Sequence, residues 1–291
     1  MNPHIKNVIT EHNIDLVTTA DSGYTQYPIN TISRVPIIMI NIFGSPTLQK
    51  NIVANIFISN EVQRHAEAYT GKQSGNRSLF IPVQVLSDHQ NEKNRGQQIR
   101  DEFGISKDDF VFGRIGRNAD SIFDPIGIRA FQKISKENPQ AHYIIMSPPP
   151  LLEKIVRDES IKNVHFIPPS SNELDIWGFH YSLDCLAHFR NDGETFGLNI
   201  AESMHAGNPI ISHRSHIWNA HTEYLSPDFA RITNKDDVDT YASYMNEFIA
   251  LKKTNIEQWQ NMRTAAHLFA KENFSEKKYS EEVRGIIKNC F

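Results

Sequence analysis

Two glutamates separated by seven residues, Glu194 and Glu202, form the pattern best suited to chemistry in this chain of 291 residues. Residues 198 to 206 favour a short helix, and Gly207 fits the left-handed cap that ends one. At 100° per residue Glu202 shares a face with apolar side chains, so its carboxylate needs a partner. Glu194 precedes the helix, where the free N–H groups of residues 195 to 198 favour an anion. The two carboxylates therefore flank a site of phosphate size.

The spacing of the two glutamates also indicates what the site could hold. If most of the residues between them are helical, the helical rise places Glu194 and Glu202 roughly 10 Å apart along the axis. That separation is close to the spread between the ribose and the hexose of a folded nucleotide sugar. The alternative is a buried helix that carries one awkwardly placed glutamate and binds no ligand.

The sequence GETFGLNIAESMHAGNPII (193–211) resembles the pattern EGFGL…EAMA.G.PVI of retaining GT-B glycosyltransferases of the glycosyltransferase family 4 type. A weaker resemblance covers most of residues 80 to 285. The resemblance implies an α/β fold with two Rossmann-like, doubly wound parallel-sheet domains, the N-terminal one truncated. It also implies transfer of a hexose from a nucleoside diphosphate sugar to an acceptor hydroxyl, with retention of the anomeric configuration.

The same resemblance implies roles for particular residues. Glu194 is expected to be catalytic, because it would orient the transferred sugar and stabilise positive charge on its ring. Glu202 is expected to accept hydrogen bonds from the ribose hydroxyls. No metal or other cofactor is expected, and no protein general base, since in retaining relatives the leaving phosphate is thought to take the acceptor proton. The other expected donor-binding residues are Gly116, Arg117, Thr195, Phe196, Gly197 and Leu198.

Arg117 enters this set through a second, weaker resemblance. The sequence FVFGRIGR (110–117) predicts a strand running into a loop, and the N-terminus of the following helix faces that loop, where a phosphate could bind. A plain tight turn is the alternative. The element resembles the GR….KG pattern, whose arginine and lysine hold the donor diphosphate. Arg117 takes the arginine position, but Ile122 takes the lysine position, which forfeits a contact of roughly 1.5–3 kcal/mol. Arg114 or Arg190 could compensate.

The chain predicts two domains that meet near residue 90. Strands and helices alternate beyond this junction, which predicts a doubly wound parallel sheet. The predicted domains are residues 1–90 on the acceptor side and residues 91–275 on the donor side, and residues 276–291 form a helix that in relatives crosses back to the first domain. Apolar, β-branched runs before the junction predict buried parallel strands at 14–20, 35–43, 54–59 and 78–85.

Two departures from the family pattern concern substrate contacts. The histidine that many relatives carry in the first domain is replaced by Ile42 and Phe43. Pro168 and Pro169 replace the glycine of the turn that recognises the donor base. The sequence therefore does not predict which base the donor carries, nor whether the first domain contacts the sugar.

Composition narrows the class of partner. The formal net charge of −4 disfavours nucleic acid and other polyanions. Cys185 and Cys290 have no metal or redox spacing and are expected to be free thiols. No apolar run approaches the ~20 residues of a membrane-spanning helix, and residues 1–13 lack the apolar core of a signal peptide. We expect a cytoplasmic protein, with peripheral contact to a membrane left open, whose partners are a nucleotide-sugar donor and a glycan, lipid-linked or small-molecule acceptor.

Two further patterns could bind a metal ion. Asp237 and Asp239 have the D-x-D form used for divalent cations, but acids that open an amphipathic helix complement its dipole and explain the pattern without a metal. His213, His216 and His221 lack an acidic or cysteine partner of matching spacing. The sequence therefore predicts a helix cap in the first case and a polar loop in the second.

Two other functions stay open beside the glycosyltransferase. The first is a non-catalytic nucleotide-sugar-binding subunit, or a degenerate domain, that needs a partner chain or oligomer to complete its N-terminal half. The missing lysine and histidine favour it. The second is an enzyme of related fold, such as a nucleotide-sugar epimerase, which the helix carrying both glutamates disfavours.

Overall fold

A computed structural model describes residues 4–21, 27–46, 48–71, 82–83 and 89–290. In these ranges strands and helices alternate, as the apolar pattern predicts. The helices are α1 (His4–Glu11), α2 (Asn60–Thr70), α3 (Gln90–Glu102), α4 (Ile126–Ile134), α5 (Pro150–Asp158), α6 (Glu173–Ser182), α7 (Leu198–His205), α8 (Val238–Thr254), α9 (Ile256–Asn273) and α10 (Glu276–Cys290). The strands are β1 (Val17–Asp21), β2 (Ile37–Asn41), β3 (Ile52–Phe57), β4 (Phe110–Ile115), β5 (Ala141–Met146), β6 (Val164–Ile167), β7 (Cys185–Ala187), β8 (Gly193–Glu194), β9 (Ile210–His213), β10 (Trp218–Asn219) and β11 (Ala230–Thr233).

The chain divides into two compact units. One comprises Met1–Pro82 with Glu276–Phe291, and the other comprises Val83–Ser275. The last helix, α10, is thus part of the first unit although 193 residues of the second unit precede it in the chain. The assignment of an acceptor-side role to the first unit and a donor-side role to the second stays a prediction.

The first unit is built on a three-stranded parallel sheet with the order β1-β2-β3. Successive side chains of β2 point to opposite faces, and both faces are apolar. Ile38 belongs to a cluster that packs against α10, whereas Ile37 and Met39 belong to a cluster that packs against α1. Helices therefore cover both sides of this sheet, which explains the continuous apolar run of β2.

The second unit contains a six-stranded sheet in which every pair is parallel, with the order β11-β9-β7-β4-β5-β6. If these six strands are renumbered 1 to 6 along the chain, starting with β4, their order read from the β6 edge is 3-2-1-4-5-6. This is the arrangement of a Rossmann fold. The strand order reverses between β4 and β7, so the connections leave these two neighbouring strands in opposite directions. In such sheets ligands bind in the crevice at the carboxyl ends of the strands, at this reversal point.

A buried aromatic cluster fixes the centre of the larger sheet. Phe112 of β4 and Phe131 of α4 each meet Tyr143 of β5 edge to face, an arrangement worth about 0.5–1.5 kcal/mol per pair beyond the burial of apolar area. All three side chains are fully buried. The strands that lead into the site are therefore held by close packing rather than by the loops that follow them.

The predicted elements agree with the structure where they can be compared. The predicted helix that follows Glu194 and contains Glu202 is α7. Gly207 adopts the predicted left-handed conformation with φ of +80°. Cys185 and Cys290 are free thiols, as expected. The predicted strand at 78–85 lies outside the described residues except for Pro82 and Val83.

Candidate active site

A cavity of about 340 Å³ opens at the carboxyl ends of β4 and β7, where the strand order reverses. Its volume falls within the range of small-molecule sites. Arginine side chains and a carboxylate face it together with the first turn of α7. The residues of this wall are Gly116, Arg117, Arg190, Glu194, Leu198 and Asn199.

Glu194 reaches the cavity from β8, which pairs with β10 in a two-stranded parallel sheet. A side chain on the preceding residue would not fit, because a Cβ on Gly193 would stand 1.7 Å from the carbonyl oxygen of Trp218. The Glu194 carboxylate is 12% exposed, and its Oε1 lies 3.2 Å from His188 Nε2 and 3.7 Å from Arg190 Nη1. Burial raises the pKa of this carboxyl, but the neighbouring His188 donor and the positive charge of Arg190 outweigh burial and lower it.

The first turn of α7 presents backbone donors to the cavity. Gly197 precedes the helix with φ of +95°, and its carbonyl accepts from the N–H groups of Ile200 and Ala201. The N–H groups of Leu198 and Asn199 come before these bonds and find no acceptor in the described part of the chain. They complement an anion at this helix end. The Asn199 side chain donates to Ile115 O at 2.9 Å and so ties the helix to the end of β4.

The residues between Glu194 and α7 are not helical. Thr195 and Phe196 do not line the cavity. Phe196 is buried, with its ring against Tyr224 and Phe274, and its carbonyl accepts from Tyr224 Oη at 2.7 Å. The helix begins at Leu198, so residues 198 to 201 are helical and residues 195 to 197 are not. The separation of roughly 10 Å along the helix axis stays a prediction.

The loop after β4 carries Gly116 and the exposed Arg117 on the cavity wall. A Cβ on Gly116 would stand 2.9 Å from Arg114 Cζ, so the absent side chain leaves room for a guanidinium beneath the loop. Arg114 itself is 1% exposed, lies 5.0 Å from the centre of the Phe189 ring, and does not line the cavity. Burial lowers its pKa to about 10, which leaves it charged at pH 7.

Ile122, the residue at the predicted lysine position, is 5% exposed and lies away from the cavity in a short 3-10 turn. Its isoleucine is explained by this burial. Of the two arginines considered as replacements, Arg190 lines the cavity and Arg114 does not. Arg190 forms a bidentate pair with Asp192, with Nε–Oδ1 at 2.5 Å and Nη2–Oδ2 at 2.9 Å. A second cation thus faces the cavity from the loop after β7 rather than from the loop after β4.

Glu202 has the partner that its position on an apolar face required. Its Oε2 lies 3.3 Å from Nε2 of His180, a residue of α6 that is fully buried. The Glu202 side chain is 18% exposed but does not line the cavity. The structure thus places Glu194, Gly116, Arg117 and Leu198 on the cavity and Glu202 outside it.

The opposite wall of the cavity comes from residues that the sequence did not single out. Met146 ends β5 and Ser147 follows it, with a left-handed backbone at φ of +59°. Pro169 and Ser170 follow β6 and include one of the two prolines noted in the base-recognition turn. The rule that parallel strands present ligand sites at their carboxyl ends was the signal available for them.

The histidines near residue 215 do not form the expected polar loop. His213 and His221 are each 1% exposed, and only His216 is exposed. His213 accepts from the Arg190 N–H at Nε2 and donates from Nδ1 to Arg214 O. His221 Nε2 donates to His213 O, and its ring lies 6.4 Å from that of His188. The prediction was wrong because these side chains fill the space behind Glu194.

The D-x-D pattern caps a helix, as predicted. Asp237 accepts from the Thr240 N–H at 3.0 Å at the start of α8, and Asp239 pairs with Lys133. In the ranges that the structure describes, no group of three or more His, Cys, Asp or Glu side chains is arranged to hold a metal ion. Among the same residues, no helix has the length and apolar character needed to span a bilayer.

Solved glycosyltransferases share this fold. HepE of Anabaena in complex with UDP and glucose matches with a TM-score of 0.75 and 17% identity over 98% of this chain and 80% of its own. A glycosyltransferase of Rickettsia africae matches with a TM-score of 0.76 and 11% identity, over 98% of this chain and 79% of its own. The pneumococcal O-GlcNAc transferase GtfA, in complex with UDP and GlcNAc, matches with a TM-score of 0.68 and 12% identity, over 98% of this chain and 59% of its own. The fold is that of GT-B glycosyltransferases.

Sequence comparison assigns the chain to a family, which the similarity of fold alone does not. No curated protein matches the chain. The family model described as glycosyl transferases group 1 matches residues 97–267, which is more than half of the 291 residues and includes the whole wall of the cavity from Gly116 to Asn199. The chain therefore belongs to the glycosyl transferases group 1 family.

Proposed function

We propose that this chain is a retaining hexosyltransferase of the glycosyltransferase family 4 type, which moves a hexose from a nucleoside diphosphate sugar to an acceptor hydroxyl. The observation that carries the proposal is one cavity in which Glu194, two arginines and the free N–H groups of α7 meet. Such a set matches a donor with an anionic diphosphate next to a sugar that develops positive charge. UDP in the complexes of HepE and GtfA makes uridine the first base to test.

In this proposal the diphosphate lies against the first turn of α7. The N–H groups of Leu198 and Asn199 donate to its oxygens, and Arg117 and Arg190 neutralise its charge as the bond to the sugar breaks. Arg190, in the loop after β7, takes the role that a lysine at position 122 would have had. Because Asp192 holds Arg190, and α7 fixes its own N–H groups, before the donor arrives, little reorganisation of these groups is needed in the transition state.

Glu194 then faces the sugar and Glu202 the ribose. The pKa of Glu194 is lowered, so its carboxylate is ionised at neutral pH and stabilises positive charge that develops on the sugar ring. Glu202 has one oxygen near His180, and its exposed edge accepts from ribose hydroxyls. The leaving phosphate takes the proton of the acceptor hydroxyl, so no side chain is assigned as general base.

Donor hydrolysis without an acceptor tests this function directly. The protein is incubated with UDP-glucose, GDP-glucose and ADP-glucose in turn, and released nucleoside diphosphate is measured. Proton NMR of the first glucose formed reports its anomer, and we expect the anomer of the donor. Formation of the opposite anomer would contradict retention, and epimerised donor without nucleotide release would indicate an epimerase instead.

Replacement of Arg117 by alanine is expected to weaken UDP binding about tenfold, since a hydrogen bond to a charged group contributes about 1.5 kcal/mol or more. Isothermal titration with UDP at low and at physiological salt measures the loss, which should shrink as salt screens the exposed charge. Arg157→Ala is the matched control, because Arg157 is 74% exposed on α5 and does not line the cavity. Equal losses in both variants would remove Arg117 from the donor site.

Removal of divalent metal is expected to leave UDP binding unchanged. The proposed site neutralises the diphosphate with arginines and backbone N–H groups, and the D-x-D acids are engaged in a helix cap and an ion pair. The measurement is the Kd for UDP before and after treatment with EDTA. A large rise in Kd that manganese or magnesium reverses would show that a metal completes the site.

A further inference from the structure

We propose that His188 is a positioning residue for Glu194, holding the carboxylate ionised and directed at the donor sugar from behind the cavity. His188 follows β7, is 3% exposed, and places its Nε2 3.2 Å from Glu194 Oε1. This inference rests on the proposed role of Glu194. It adds a residue that no donor atom would touch and that acts through the carboxylate.

The hydrogen bonds around His188 fix its backbone, and its side chain lies next to Glu194. Its backbone is fixed on both sides, since its N–H donates to Ile211 O at 2.8 Å and its carbonyl accepts from Tyr241 Oη at 2.9 Å. In the side chain, Nδ1 has no hydrogen-bond partner among the described residues. Nε2 makes no hydrogen bond of standard geometry there either, although Glu194 Oε1 lies 3.2 Å away. An imidazole with a hydrogen on Nε2 and a bare Nδ1 suits this setting, because a hydrogen on Nδ1 would be a buried donor without an acceptor. Glu194 is thus the group that orients the ring.

Several charged or titratable groups face this pair. Burial lowers the pKa of His221 to about 3 and lowers that of His213, so both are neutral at pH 7. Their hydrogen bonds agree, because each ring donates from one nitrogen only. Burial raises the pKa of Tyr224, which keeps it neutral as well. The permanent charges that remain are those of Arg190, whose Nη1 is 3.7 Å from Glu194, and the buried Arg114.

The sign of the expected effect follows from this balance. Burial pushes the pKa of Glu194 upward, and the Nε2 donor of His188 and the charge of Arg190 push it down. Without His188, burial is opposed mainly by Arg190, so the pKa of Glu194 rises. A protonated carboxyl cannot stabilise positive charge on a sugar, so the acidic limb of the activity profile moves to higher pH. Below the new pKa, each unit of rise costs about tenfold in the ionised fraction.

Two variants separate this role from simple packing. His188→Leu keeps a side chain of similar bulk but removes the donor, whereas His188→Gln places a neutral N–H where Nε2 stood. The direct readout is a ¹³C NMR titration of the Glu194 carboxyl, assigned by its loss in Glu194→Gln. We expect the Glu194 pKa to rise in His188→Leu and to return toward the wild-type value in His188→Gln. The rate of UDP-glucose hydrolysis against pH should show the same order.

The outcomes distinguish this inference from the function on which it rests. A carboxyl titration that is unchanged in a folded His188→Leu protein overturns the role of His188, even if the melting temperature falls. A wild-type protein that hydrolyses no donor overturns the proposed function, yet the NMR titration still decides whether His188 sets the ionisation of Glu194. If His188→Leu does not fold, His188→Ala takes its place: a Glu194 pKa that rises in His188→Ala and returns toward wild type in His188→Gln supports the role, and an unchanged pKa in His188→Ala contradicts it.

Discussion

Replacing Glu194 by glutamine is expected to lower the turnover number for UDP-glucose hydrolysis by about 10²–10³-fold, the scale found when a preorganised charge-stabilising group is removed. The carboxylate is assigned to charge that exists only in the transition state, so its loss reduces kcat rather than ground-state binding. Glutamine keeps the size of the side chain and its contact with His188. We therefore expect the Kd for free UDP to stay within about twofold of wild type, because a loss below 0.5 kcal/mol is typical of a site without direct contact.

Glu247→Gln provides the matched control for this experiment. Glu247 pairs with Arg231 on the far part of the sheet and does not line the cavity, so the same charge is removed without effect on the donor. Three results are informative. Equal loss of turnover in both variants would refute a specific role for Glu194. Tight UDP-glucose binding with no hydrolysis by wild-type protein would favour the non-catalytic binding subunit. No binding of any nucleotide would refute both functions.

Replacing Glu202 by alanine is expected to weaken the free energy of UDP binding by about 1.5–3 kcal/mol, which raises the Kd roughly 10- to 150-fold. Glu202 is assigned to the ribose, a part of the donor that does not react. Its loss should therefore weaken UDP and UDP-glucose alike and change turnover at saturating donor much less. Binding is measured by isothermal titration and turnover by nucleotide release.

The pairing of Glu202 with His180 requires a control for stability. Alanine leaves the fully buried His180 without its partner, so the melting temperature should fall as well. Glu202→Gln keeps an oxygen for His180 and should preserve more of the stability than of the affinity. A variant with lower melting temperature and unchanged Kd would mean that the carboxylate is structural, which is the alternative interpretation of the glutamate on an apolar helix face.

Local signals predicted the elements of the second unit well. The helix ending at Gly207, the cap at Asp237 and the strand at 110–115 follow from capping chemistry and apolar periodicity, which act within a few residues of the chain. Family resemblance added the proposed roles of Glu194 and Glu202. These features depend on neighbours in sequence, so the sequence alone carries them.

Other features of the site depend on which strands become neighbours. Arg190 lines the cavity because β7 lies beside β4 in the sheet. Ile122 is buried by packing that the local sequence does not reveal. His213 and His221 belong behind Glu194, although their polar surroundings in sequence predicted a solvated loop. Chain pattern thus determined the helices, strands and the pair of glutamates. Tertiary structure decided which cations and which histidines surround Glu194, because burial and charge balance depend on contacts between residues far apart in the chain.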